Sequence, residues 1–364
     1  MTDVPAGGDW AGRRVLVTGG AGFIGSHLVD ALLARGAAVV VLDDLSNGRR
    51  ENLAGAEAAA AAGHGSLAVH VGDVTDPARL AEECAGVEVV FHQAAIASVP
   101  RSVAEPVRYL DVNATGTVRL LLAARAAGVR RVVHAGSSSF YGDQPGFPRI
   151  ETMAPDIRSP YAAAKASGEF AVRAIAAEGD LDGVTLRYFN IFGPRQRPDS
   201  PYAAVIPKFA VAMLRGEPVR LHGDGRQTRD FTFVANAVHA NLLAGAHPER
   251  LDGTVLNVAA GERRTVNDLV ARLAALVGRE PVVDRRSPRP GEVRHSGASL
   301  DRTRRILGYE PAVRFEDGLA ETVAWCRAWV DADPGAASGA GTSAGPADAA
   351  VTPPVPDPPA GTAS

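Results

Sequence analysis

Short, nearly unbroken apolar runs recur through the first half of this chain, each closed by a turn signal and most followed by a helical pattern. Arg14 to Val17, Ala38 to Leu42, Leu67 to Val71, Val87 to Phe91, Arg131 to Ala135 and Val184 to Tyr188 read as strands. Runs apolar on both faces suit strands buried on both sides, as in a parallel sheet covered by helices. Helical spacing from Phe23 to Arg35, from Asn113 to Ala127 and from Tyr161 to Ala177 supplies the crossovers. The pattern predicts an α/β fold: a doubly wound parallel sheet whose ligands sit at the strands' carboxyl ends. The alanine run from Ala54 to Gly65 fits either a helix or a surface insertion.

From Ile191 the pattern breaks into short apolar segments between Pro- and Gly-containing turns. We therefore expect a flexible N-terminus over 1–12, a nucleotide-binding domain over 13–190 and a smaller C-terminal α/β domain for substrate over 191–330. Residues 331–364 are small, acidic or proline, with no aromatic or basic side chain, and a disordered tail is expected there.

Composition narrows the class. A net charge of −3 on 364 residues argues against electrostatic binding to nucleic acid or anionic membrane. Cys84 and Cys326 stand far apart without metal-ligand spacing, so no metal site is expected and a reduced, cytoplasmic protein is the natural reading. Met1 to Gly12 lacks a signal pattern, and no apolar run reaches membrane-spanning length.

The first strand–helix turn carries the clearest chemistry: Thr18-Gly19-Gly20-Ala21-Gly22-Phe23-Ile24-Gly25. Glycines 19, 22 and 25 allow a tight turn, close approach to a pyrophosphate and close helix–strand packing, while the helix N-terminus offers N–H donors. Asp43, at the end of the second strand, suits the ribose hydroxyls of NAD; Arg49 leaves NADP as the alternative. A second centre is Ser159-Pro160-Tyr161-Ala162-Ala163-Ala164-Lys165, where serine caps the helix and proline starts it. Tyr161 and Lys165 then share a helix face, and the ammonium is expected to lower the phenol's pKa. Ser137, Ser138 and Ser139 follow the fifth strand, where a hydroxyl can bind a substrate oxygen. Together these groups point to reversible hydride transfer at a carbinol carbon.

These motifs, with Gly72-Asp73-Val74, His92-Gln93-Ala94-Ala95, Leu186 to Asn190, Tyr202 to Pro207, Arg229-Asp230-Phe231 and Arg289 to Glu292, resemble an extended short-chain dehydrogenase/reductase of the NAD-dependent epimerase/dehydratase family. The likeness spans about Arg13 to Trp329 and is strongest to UDP-hexose 4-epimerases acting on UDP-N-acetylglucosamine. It implies a Rossmann domain binding NAD through Gly19, Gly22, Phe23, Ile24, Gly25, Asp43, Ser46, Asn47, Gly48, Asp73, Val74, Gln93, Ala94, Ala95, Tyr161, Lys165 and Tyr188. It implies catalysis by Ser137, Tyr161 and Lys165. For the UDP-sugar it implies Ser98, Ser137, Ser138, Ser139, Tyr161, Asn190, Ala204, Val205, Lys208, Arg229, Arg289 and Ser296. Arg229 and Arg289 match positions where guanidinium groups meet the diphosphate, although Arg229 could instead pair with Asp230.

Within that family, related dehydratases place Asp-Glu directly after the hydroxyl residue; here Ser138 and Ser139 stand there, which disfavours elimination of water. A carboxyl-handling Glu and Arg, as a decarboxylase needs, cannot be placed. Ser296 falls where glucose-only epimerases present a tyrosine, which leaves room for a 2-acetamido group. The expectation is NAD-dependent 4-epimerisation of UDP-GlcNAc/UDP-GalNAc, with UDP-glucose/UDP-galactose also accepted. UDP-glucuronate 4-epimerisation, dehydration of a nucleotide sugar and a non-catalytic NAD-binding protein are the alternatives. Helices Asn113 to Ala127 and Tyr161 to Ala177 correspond to those that pair across a two-fold axis in the family, which implies a homodimer.

Overall fold

The structure is a computed structural model that describes residues 7–199, 204–288 and 293–332. Among them, β1 (Arg14–Thr18), β2 (Ala38–Asp43), β3 (Ser66–Val71), β4 (Val89–His92), β5 (Arg131–Ser137), β6 (Asp182–Tyr188) and β7 (Thr254–Val258) form one sheet. Its spatial order is β7-β6-β5-β4-β1-β2-β3, with every pairing parallel. The winding reverses between β1 and β4, and the strand ends around that point, Thr18, Asp43, His92, Ser137 and Tyr188, surround the natural ligand crevice.

Strand alternation builds two apolar layers. Val15 and Val17 join Leu28, Leu32, Val39, Val41 and Ala240 on one face, whereas Leu16, Val40, Val90 and Val132 join Leu80, Leu120, Leu121 and Val172 on the other. All are essentially inaccessible to water, and each large aliphatic side chain contributes about 1.5–3 kcal/mol by burial. The helices Phe23–Leu33 and Val234–Ala246 therefore cover one face, and Pro77–Cys84, Gly116–Ala126 and Pro160–Ala177 the other. The alanine run resolves as a helix, Ala54–Ala61.

A third cluster gathers Phe192, Phe209, Phe231, Phe233 and Phe315 with Leu221, Leu269 and Leu319. It joins the helices Val205–Arg215, Val266–Val277 and Phe315–Ala332, and Phe231 stacks on Phe315 at 5.8 Å between ring centres. The segment after Asn190 does not leave the sheet for good. Its helix Val234–Ala246 covers the first layer, and β7 pairs with β6 as the edge strand. A five-residue segment such as Thr254–Val258 does not announce which distant strand it will pair with, and only the completed sheet decides that.

The expectation of a flexible N-terminus is corrected at two positions: Gly7 and Trp10 are buried against the body of the protein, while residues 8, 9, 11 and 12 are exposed. Trp10 is fully buried, contacts the Phe91 ring at 5.6 Å and donates its indole N–H to Gly7 O at 2.8 Å. An indole is a large apolar surface, and Trp10 buries it between Phe91 of the central strand β4 and Gly245 of the helix Val234–Ala246. Residues 1–6, and the tail from 333 onward, lie outside the described residues.

Candidate active site

At the switch point, Gly19 adopts φ +69°, a left-handed conformation that glycine reaches without strain. A side chain there would come within 2.6 Å of Ala94 N, and one at Gly25 within 2.1 Å of Gly19 O. The helix Phe23–Leu33 begins with no side chain capping its N–H groups and no acid in its first turn. Free donors and a cradle stripped of Cβ atoms fit a pyrophosphate. A cavity of about 220 Å³ opens beside this turn. All seventeen residues that the resemblance assigned to NAD line it, from Gly19 and Asp43 at one end to Tyr161, Lys165 and Tyr188 at the other.

Asp43 is 7% exposed; its Oδ2 accepts from Ala21 N and its Oδ1 from Leu45 N, each at 2.9 Å. Burial pushes its pKa up, and the two backbone donors work against that. An acceptor-only carboxylate with free lone pairs suits a ribose diol and repels a 2′-phosphate. Arg49 does not turn toward that position: it pairs with Asp199 at 3.1 Å. The arrangement therefore fits NAD.

At the far end, Ser159 Oγ accepts from Ala162 N at 3.1 Å and starts the helix Pro160–Ala177, which brings Tyr161 and Lys165 to the cavity wall. Tyr161 is hydrogen-bonded to Ser137, and its ring stands edge-on to Tyr109 at 6.4 Å. Ser139 Oγ donates to Ser137 Oγ at 2.8 Å, so the serine turn is ordered around the hydroxyl that meets Tyr161. The expected depression of the phenol is corrected here. Burial pushes Tyr161 up and the bond to Ser137 only partly opposes it, while burial also pulls Lys165 down, to about 8. Partial removal from water thus moves each group toward its neutral form without neutralising Lys165, which stays mostly charged at neutral pH.

Several supporting residues carried no motif. His92, its ring nitrogens 2.7 Å from Thr18 Oγ1 and 3.0 Å from Thr117 Oγ1, and His134 lie buried near Lys165 and are held neutral by burial. Asn113 clamps the cavity-lining loop through Ile96, accepting from its N–H at 2.8 Å and donating to its O at 3.0 Å. One turn after Lys165, Glu169 takes two hydrogen bonds from Arg187 of β6, at 2.8 and 2.6 Å, with both side chains 2% exposed. Arg187 Nη1 also donates to Tyr141 Oη at 2.7 Å, which ties the serine turn's far end to the helix Pro160–Ala177. The alternating pattern marks such positions as buried but cannot say which distant charge will meet them.

The residues expected at the sugar nucleotide lie beyond this cavity, apart from Tyr161. Asn190 Nδ2 donates to Asp230 O at 3.2 Å, and Ser296 N donates to Thr228 O at 3.0 Å, so Asn190, Arg229 and Ser296 are gathered by backbone contacts. Arg229 and Asp230 diverge. Arg229 Nη1 donates to Thr228 O at 2.9 Å, whereas Asp230, fully buried, accepts from Ala260 N at 2.9 Å and is pushed up to about 7 by burial. The salt bridge that the sequence allowed is therefore not formed. Ala204 and Val205 open the helix Val205–Arg215, with Lys208 one turn on, and Ser98 caps the short helix Val99–Ala104. Arg289 lies outside the described residues.

A glycine cradle, a buried acid at the end of β2 and a Ser–Tyr–Lys group at one switch point define a dinucleotide-dependent enzyme of the extended short-chain dehydrogenase/reductase type. The pattern of the NAD dependent epimerase/dehydratase family matches residues 15–259, and the chain belongs to that family. It is 42% identical over 315 residues to a UDP-glucose 4-epimerase of Mycolicibacterium smegmatis, covering 86% of this chain and 98% of that one. Among solved structures it resembles the UDP-N-acetylglucosamine 4-epimerase of Methanobrevibacter ruminantium M1 in complex with UDP-N-acetylmuramic acid. That likeness has a TM-score of 0.82 and 39% identity over 88% of this chain and 99% of that one. The UDP-glucose 4-epimerase of Thermus thermophilus in complex with NAD matches with a TM-score of 0.77 and 37% identity, over 86% and 99% of the two chains.

Proposed function

We propose that the protein interconverts UDP-hexoses at C4, with NAD as a resident cofactor and UDP-GlcNAc/UDP-GalNAc as the preferred pair. The observation that carries this reading is the Ser137–Tyr161 hydrogen bond beside the dinucleotide cavity, with serines rather than carboxylates at 138 and 139. NAD, when bound, supplies the acceptor for the C4 hydride and gives it back. Ser137 and Tyr161 hold the sugar's 4-oxygen between them, and Tyr161 takes its proton as the 4-keto sugar forms. Lys165 supports the phenolate that the transfer demands. When the keto sugar presents its other face, the same phenol returns the proton. Elimination of water would need an acid beside the leaving hydroxyl, and the turn Ser138–Tyr141 carries none.

The preference for a 2-acetamido sugar rests on Ser296, a small side chain held half-buried next to the strand of Arg229. NMR analysis of products from UDP-GlcNAc, UDP-glucose and UDP-glucuronate tests the reading. We expect 4-epimers from the first two; a dehydrated or decarboxylated product, or no turnover of any of them by NAD-loaded protein, overturns it. Ser296→Tyr is expected to lower kcat/KM for UDP-GlcNAc at least about tenfold relative to UDP-glucose, since an overfilled pocket costs about 1–3 kcal/mol. Equal effects on both sugars would remove Ser296 from specificity.

A homodimer belongs to the same proposal. Val118 and Leu122 on Gly116–Ala126 and Phe170 on Pro160–Ala177 are 36%, 44% and 45% exposed on neighbouring helices, an apolar face that suits a second copy. Light scattering should return a dimer for the native chain and a monomer for Leu122→Glu/Phe170→Glu. A monomeric native chain at assay concentration would refute it.

A further inference from the structure

Gln93, just past β4, and Tyr188, the last residue of β6, are separated in the sheet by β5 but share a buried partner. That partner is Asn241, fully buried in the helix Val234–Ala246, which packs across β4, β5 and β6. Tyr188 Oη donates to Gln93 Oε1 at 3.1 Å, Gln93 Nε2 donates to Asn241 Oδ1 at 3.0 Å, and Asn241 Nδ2 donates to Tyr188 Oη at 2.7 Å. The circuit is closed. Asn241 Nδ2 also donates to Ala237 O at 2.7 Å, one turn back in its own helix, which sets the amide's orientation and hence the direction of the whole ring.

Two consequences follow for the cavity wall. The one proton of Tyr188 is committed to Gln93, so this phenol has none to offer a ligand, and burial pushes its pKa up to about 12. Gln93 is left with one N–H and one lone pair uncommitted, both on an amide that cannot flip without breaking two bonds. Gln93 and Tyr188 line the same cavity as Tyr161 and Lys165, whereas Asn241 does not reach it. A residue buried behind the wall thus controls how two wall groups are presented.

We propose that Asn241 is a positioning residue. It fixes Gln93 and Tyr188 in one orientation against the bound dinucleotide and so keeps the cofactor seated between removal of the hydride and its return. The proposal rests on the assignment of this cavity to NAD. The test is Asn241→Leu, close in volume but unable to hydrogen-bond, with Gln93→Met breaking the same ring from the cavity side, and Tyr188→Phe combined with each. Readouts are the NAD retained through gel filtration, the NAD dissociation rate, and kcat and KM for the UDP-sugar.

Losing one or two hydrogen bonds of about 1 kcal/mol each should speed NAD release about tenfold in either single variant. KM for the UDP-sugar should stay within about twofold, because that ligand lies beyond the ring. In the Tyr188→Phe background, where the ring is already open, Asn241→Leu should add less than about threefold. Unchanged NAD release in both single variants, or effects that multiply independently in the double variant, would overturn the role of the ring. Native protein that binds no NAD would instead overturn the cavity's assignment, and that result is read before any variant is made.

Discussion

Tyr161→Phe is expected to lower turnover about a hundred- to ten-thousand-fold while leaving the NAD content of the purified protein unchanged. That is the range in which a positioned general acid–base group contributes. The phenol is the group hydrogen-bonded to Ser137 at the cavity wall, and phenylalanine keeps its ring against Tyr109 while removing the proton carrier. Retention of NAD separates lost chemistry from lost binding, because the glycine cradle and Asp43 stand at the other end of the cavity. Turnover within about threefold of the native enzyme would show that another group moves the proton. Since burial pushes Tyr161 up and draws Lys165 down, the protein alone does not hold a ready phenolate. Bound NAD and substrate complete the surroundings of the phenol and of Lys165, so a pH–rate profile of kcat should differ from that of kcat/KM.

Glu169→Ala should be strongly damaging although it lies outside the cavity. It strips Arg187 of two short hydrogen bonds and leaves a guanidinium 2% exposed with no counter-charge. Breaking a buried pair from one side costs about 3–5 kcal/mol, which for a chain of this size lowers Tm by about 4–7 °C. The residual contacts of Arg187, with Tyr141 Oη at 2.7 Å and over the Phe140 ring at 3.5 Å, cannot neutralise it. Because the same arginine ties the serine turn to the helix that carries Tyr161 and Lys165, kcat should fall even below the melting transition. Thermal denaturation followed by circular dichroism checks the first part. A Tm within about 2 °C of native would show that the pair is dispensable to stability.

Much of the site was readable in local periodicity. The strand–glycine–helix–strand–acid order needs only near neighbours, and the spacing of Tyr161 and Lys165 puts them on one helix face whatever the rest of the chain does. The runs around Leu16, Val40 and Val90 likewise mark buried strands, because apolar side chains on both faces demand cover on both. A backbone turn or a helix face is specified within a few residues, so its signal survives in the sequence.

What could not be read there concerns partners distant in the chain. The return of Thr254–Val258 to the sheet, the packing of Trp10 on Phe91, the Glu169–Arg187 pair and the ring through Asn241 each join segments whose patterns say only that they are buried. The same limit reversed the expectation for Tyr161. Its proximity to Lys165 follows from helix geometry, but the direction of its pKa depends on how completely the assembled walls exclude water, and desolvation is a property of the whole fold. Local sequence chose the chemical groups; the tertiary structure decided their protonation and what holds them still, because burial and long-range pairing exist only once the sheet and its helices have closed around them.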